Sequence, residues 1–137
     1  MRILPLFAIL FTFIPLAWLG CEAQQNGGAP VAQEIALEEF IRQPPGSFLI
    51  LDVRSPEEYA AGHIKNALNI PHDRLAERVS QIQKYASAPV VLYCKSGRRA
   101  GLAAEALSQA GFTNLHHLTG DMDGWVAAGY PVAKDGP

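Results

Sequence analysis

Val90-Val91-Leu92-Tyr93-Cys94-Lys95-Ser96-Gly97-Arg98-Arg99-Ala100 is the stretch on which the fold turns. Its first four residues are apolar and β-prone and follow Pro89, so they read as a buried strand. Its end runs into Gly101-Leu102-Ala103-Ala104-Glu105-Ala106-Leu107, which reads as a helix. Between them lies a short turn of small and basic residues that opens on a cysteine. A thiol there sits at the carboxyl end of a strand and faces the first turn of the next helix. Open α/β sheets place their ligand crevice at that point.

The local field gives the thiol a chemistry. First-turn N–H groups of a helix lack intrahelical partners and carry partial positive charge. Lys95, Arg98 and Arg99 bring full positive charges within a few residues. Both effects favour thiolate over thiol, and the N–H groups would cradle an anion or a charged sulfur. Gly97 admits backbone angles that other residues avoid. The rival reading is a buried structural cysteine beside a solvated basic turn. The strand–turn–helix setting and the flanking cations argue against it.

Outward from this turn, the pattern alternates between strands and helices. Gln33-Glu34-Ile35 reads as a short edge strand. Leu37, Phe40 and Ile41 predict a helix over 36–43, stopped by Pro44-Pro45-Gly46. Phe48-Leu49-Ile50-Leu51 is a continuous apolar run ending in Asp52, as in a buried parallel strand. Ser55 can cap a helix starting at Pro56, with Glu57 and Glu58 in its positive first turn and Gly62 at its end. Arg54 and Glu58 are placed for a local salt bridge. Asp73 begins a predicted helix carrying Leu75, Val79 and Ile82. The helix after the cysteine turn is expected to bury Leu102, Ala103, Ala106 and Leu107 and to end at Gly111. Thr113 to Leu118 reads as the last strand. Together these predict an α/β fold: a parallel sheet of about five strands with helices on both faces.

Cys94-Lys95-Ser96-Gly97-Arg98-Arg99 followed by a helix resembles the active-site loop of the rhodanese-like sulfurtransferases, in their single-domain form. Asp52-Val53-Arg54-Ser55-Pro56-Glu57-Glu58-Tyr59 through His63-Ile64, with Ala67-Leu68-Asn69-Ile70-Pro71, is similar to the family's other signature block. Thr119-Gly120-Asp121-Met122-Asp123-Gly124-Trp125 resembles its closing Gly-Gly-x-x-x-Trp segment, with Asp121 in place of the second glycine at the expected pocket rim. The resemblance implies a persulfide on Cys94, with sulfane sulfur passing from thiosulfate or a similar donor to cyanide or a thiol. It assigns donor binding to Lys95, Ser96, Gly97, Arg98 and Arg99. It gives Asp52, Arg54, Glu58 and His63 supporting polar roles, and it needs no cofactor. Cysteine-dependent phosphatases use Cys-x5-Arg, and position 100 is Ala, so the loop is one residue short for phosphate. A non-catalytic sulfur carrier or partner-binding module is the alternative. A phosphatase or arsenate reductase ranks lower.

The 137-residue chain is long enough for one domain with its own core. A net charge of −2 argues against general affinity for nucleic acid. The basic cluster is confined to the loop, which points to a small anionic sulfur donor. His116 and His117 are adjacent on a strand and point to opposite faces, and no metal-ligand spacing is present, so no metal is expected. No glycine-rich nucleotide fingerprint occurs.

The first twenty residues form a different unit. Ile3 to Leu19 carries no charge, follows Arg2, and is interrupted by Pro5 and Pro15, as in a secretory signal. Leu19-Gly20-Cys21 resembles the bacterial lipobox, although Trp18 stands where leucine is usual. That resemblance implies cleavage before Cys21 and a lipid on it. Ordinary signal-peptidase cleavage and a retained anchor are the other readings. The expected organisation is a signal peptide at 1–20, a flexible tether at 21–32 and the folded domain at 33–137. The expected location is a membrane-anchored lipoprotein on the periplasmic or outer face, or else a soluble periplasmic protein. A Cys21–Cys94 disulfide is disfavoured, since it would tie a loose leader to the anion-binding turn.

Overall fold

The computed structural model describes residues 30–134. The expected signal peptide, the expected lipidation at Cys21 and most of the expected tether fall on residues outside that range. Five strands form one parallel sheet: β1 (Gln33–Ile35), β2 (Leu49–Asp52), β3 (Leu68–Asn69), β4 (Val90–Tyr93) and β5 (Leu115–Leu118). Their spatial order is β1-β5-β4-β2-β3, which puts the strand leading to Cys94 at the centre.

Alternation along the central strands divides the core in two, because successive side chains point to opposite faces. Val90 and Leu92 join Leu51, Leu75, Ile82 and Leu107 on one face. Val91 and Tyr93 join Phe40, Leu118, Met122 and Trp125 on the other. The helices α3 (Leu75–Arg78) and α4 (Arg98–Gln109) thus cover the first face. The helices α1 (Leu37–Arg42) and α5 (Asp121–Ala127) cover the second. Between β2 and β3 lies α2 (Pro56–Ala61), capped by Ser55 as the sequence predicts, with Glu58 closing a reciprocal capping box.

Two local expectations are corrected. The helix from Asp73 is a broken series instead: a 3-10 turn at His72–Arg74, one α-turn at Leu75–Arg78, and further 3-10 turns at Val79–Gln81 and Gln83–Tyr85. Leu75 and Ile82 are still buried, and i to i+3 bonds such as Ile82 N–H to Val79 C=O replace a continuous ladder. In α4 the buried stripe is Ala100, Ala103, Ala104 and Leu107, at i, i+3, i+4 and i+7, while Leu102 is exposed. The stripe is rotated so that the small alanines let α4 lie close on the sheet.

Candidate active site

Cys94 follows β4 directly, and the turn Lys95–Gly97 carries the chain into α4. Gly97 has φ +111°, a left-handed conformation that favours glycine. In it the Gly97 N–H donates to Cys94 Sγ at 3.0 Å. The sulfur therefore lies against the N-terminus of a twelve-residue helix, with one backbone donor already on it. Ala100 is buried inside α4, so no cation reaches the loop from the position a phosphate-binding ring would use.

The thiol is less open than the sequence suggests. Cys94 is 1 % exposed and packs with the core beneath the turn. Lys95, Ser96 and Arg98 are exposed above it.

The cations are also less free than their count implies. Arg99 makes a two-pronged bridge to Glu58, with Nη1 to Oε2 at 2.6 Å and Nη2 to Oε1 at 2.9 Å. This corrects the expected Arg54–Glu58 pair. The Arg99 guanidinium lowers the Glu58 carboxyl to about 2, and Glu58 in turn raises Arg99. Lys95 lies 3.5 Å from Asp123. Arg98 has no ion-pair partner among the described residues. Of the three expected cations, Arg98 alone keeps its charge wholly available to a ligand.

Arg54 turns the other way, into the fold. Its Nε and Nη2 donate to the Asp52 carboxylate, the shortest contact being 2.6 Å, and Nη2 also donates to Gly62 C=O at 2.7 Å. Asp52 is fully buried and Arg54 nearly so. Asn69 Nδ2 donates to the carbonyls of Asp52 and Arg54. His63 stacks on Tyr59 at 3.8 Å and pairs with Ala133 through its backbone. The signature block is thus a buried polar frame that ties β2 to α2 and β3, and Glu58 links it directly to the cysteine loop.

Asp121 does not form a pocket rim. It is 1 % exposed, adopts φ +54°, and its Oδ1 accepts the Cys94 N–H at 2.8 Å. Its Oδ2 lies 3.0 Å from His117 Nε2, and Glu34 Oε1 lies 2.8 Å from His117 Nδ1. Chiefly through its bond to Asp121, His117 is raised from 6.5 to about 9. The stabilisation from this imidazolium is complete below about 6.5, the ordinary value, and is lost as pH rises through about 9. His116 turns away, to Asn114 and the edge of Phe48. Sequence reasoning considered His117 only as a metal ligand and missed this role. The aspartate in place of a glycine was the available signal.

One cavity, of about 330 Å³, reaches the loop at Arg99 and is lined also by Ser55, Pro56, His72, Asp73 and Arg74. A larger one, of about 470 Å³, is bounded by Phe40, Phe48, Ile64, Trp125 and Pro131 and includes no residue of the Cys94 loop.

A parallel five-stranded sheet with a cysteine loop between its central strand and the following helix defines a rhodanese-type α/β domain. The chain belongs to that family: the sequence model described as Rhodanese-like domain matches residues 36–128. A rhodanese-related protein from Thermoplasma volcanium superposes with a TM-score of 0.67 at 29% identity, over 75% of this chain and 99% of that one. Thiosulfate:glutathione sulfurtransferase of Saccharomyces cerevisiae is 29% identical over 127 residues, 82% of this chain and 91% of its own length. Thiosulfate sulfurtransferase PspE of Escherichia coli is 37% identical over 73 residues, 53% of this chain and 70% of its own. Relatives also include a tRNA uridine(34) hydroxylase from Hamiltonella defensa, of which the aligned region spans 26%.

Proposed function

We propose that the protein is a sulfurtransferase that carries sulfane sulfur on Cys94. The observation that carries this reading is Sγ at the α4 N-terminus, receiving the Gly97 N–H inside a six-residue loop. In the first half-reaction the Cys94 thiolate attacks the outer sulfur of thiosulfate or a similar donor. The donor's S–S bond breaks, sulfite leaves with the electron pair, and Cys94 holds a persulfide. Cyanide or a thiol then attacks the outer sulfur, giving thiocyanate or a new persulfide and restoring the thiolate. The loop N–H groups and the helix end stabilise the charge on the outer sulfur, as an oxyanion hole does for oxygen. Because Sγ is buried, the turn Lys95–Gly97 parts during turnover to admit the donor's sulfur atom.

Arg98 draws the anion in. Arg98→Ala therefore raises the thiosulfate KM by about threefold to tenfold and acts far less on kcat, because uniform binding is lost. An unchanged KM would show that this charge does not face the donor. Thiocyanate formation from thiosulfate and cyanide is the assay, and its absence at every donor tested would leave a carrier or docking module. The leader belongs to the same proposal: export, and a lipid on Cys21 that tethers the domain to a membrane. Metabolic labelling with palmitate that is lost in Cys21→Ala is the supporting result.

A further inference from the structure

We propose that Asp121 is a positioning residue for Cys94, and that a doubly protonated His117 neutralises Asp121 so that its charge does not oppose the anionic sulfur. The inference rests on reading Cys94 as the sulfur carrier.

The Cys94 peptide is gripped at both ends from the start of α5. Its N–H donates to Asp121 Oδ1 at 2.8 Å, and its C=O accepts from Met122 N–H at 3.0 Å. The height of Sγ over the α4 N-terminus is therefore set by α5 as well as by its own strand. This grip places a buried carboxylate under the reactive loop. A Cβ on Gly97 would stand 3.2 Å from Asp121 Oδ2 and 3.4 Å from His117 Cε1, so both side chains lie immediately beneath the residue that donates to Sγ.

A buried carboxylate needs a compensating charge. Arg99 is committed to Glu58, Lys95 faces Asp123, and Arg98 makes no ion pair among the described residues. His117 is the group that contacts Asp121, and its two ring nitrogens lie 3.0 and 2.8 Å from oxygens of two carboxylates. Ionised carboxylates only accept hydrogen bonds, so both nitrogens must donate, which requires the imidazolium. Glu34 is anchored in turn by the Thr119 hydroxyl at 2.9 Å. Glu34 from β1 and Asp121 from α5 face His117 across hydrogen bonds, and Glu105 from α4 lines the same surface cavity of about 240 Å³. Asp121 and Glu34 favour the protonated ring, against the burial that disfavours it. As pH rises through about 9 the ring becomes neutral. Asp121 then keeps its bond to the Cys94 N–H but stands as an uncompensated negative charge beside the sulfur.

The test compares full-length wild type with Asp121→Asn and Asp121→Ala. Asparagine keeps an oxygen for the Cys94 N–H and carries no charge to neutralise. In wild type, kcat falls with an inflection near pH 9, matching the ring titration of His117 followed by NMR. In Asp121→Asn the inflection disappears and the ring titrates nearer its ordinary value. Asp121→Ala lowers kcat by about ten- to hundredfold at pH 7, and asparagine recovers most of that loss. Hydrogen exchange of the Cys94 amide needs no turnover. Its protection falls at least about tenfold in the alanine variant and survives in the asparagine variant. An inflection that persists in Asp121→Asn, or a wild-type ring that titrates near its ordinary value, overturns the proposal. So does full exchange protection in Asp121→Ala. Wild type that transfers no sulfur at any pH removes the sulfurtransferase reading instead, and the exchange and ring measurements then decide the clamp alone.

Discussion

Replacing Cys94 by serine leaves the domain folded and removes sulfur transfer. Serine Oγ can accept the Gly97 N–H as Sγ does at 3.0 Å, so the loop keeps its internal bond. The site is buried beside Leu92 and Ala100, so the added polarity costs about 1 kcal/mol, a small shift in Tm. A hydroxyl at neutral pH offers no anionic nucleophile and cannot hold a transferable sulfur. Activity therefore drops by at least about three orders of magnitude. The check is thiocyanate production beside a thermal melt. An active serine variant would place the chemistry elsewhere, and an unfolded one would call for Cys94→Ala with the same assay.

Asp52→Ala has the largest expected effect on stability. Asp52 is fully buried, and its carboxylate accepts from the Arg54 backbone N–H, Nε and Nη2. Without it the guanidinium keeps, among the described residues, Gly62 C=O as its hydrogen-bond acceptor and faces the Tyr93 ring at 5.7 Å. Breaking a buried pair from one side strands a charge, at a cost of about 3–5 kcal/mol. Tm should fall by more than about 10 °C. Removing both charges together, as Asp52→Leu with Arg54→Met, recovers a good part of the loss, because an apolar pair needs no compensation. A melt of Asp52→Ala within a degree or two of wild type would mean that water reaches the pair.

What the sequence displays well is whatever is written locally. The run behind Pro89, the cysteine turn and the helix that follows lie within twenty residues, and strand β4 and helix α4 form there, though the buried face of α4 is rotated from the one expected. The Ser55 cap sits next to the helix it starts and forms as read. β3, with two residues, is too short to show a period. Its pairing with β2 comes from the frame around Asp52 and Asn69. The broken helix after Pro71 had apolar residues at helical spacing, and 3-10 turns bury the same anchors.

The charges of the site were the least legible part, because their partners are far apart in the chain. Glu58 meets Arg99 across 41 positions, Cys94 meets Asp121 across 27, and Glu34 meets His117 across 83. Counting cations near the cysteine overstated the free positive charge. A distant acid neutralises Arg99, and an acid that the pattern treated as a lost glycine holds the loop from below. The burial of Cys94, a reading argued against from the local sequence, follows from the same cause, since the elements that cover it converge only in the folded sheet.

The most direct measurement is the mass of the intact protein after incubation with thiosulfate. The account predicts a gain of about 32 Da, the mass of one sulfur, mapped to the peptide containing Cys94 and lost on adding cyanide as thiocyanate appears. An unchanged mass, with Cys94 recovered as the free thiol, would contradict it.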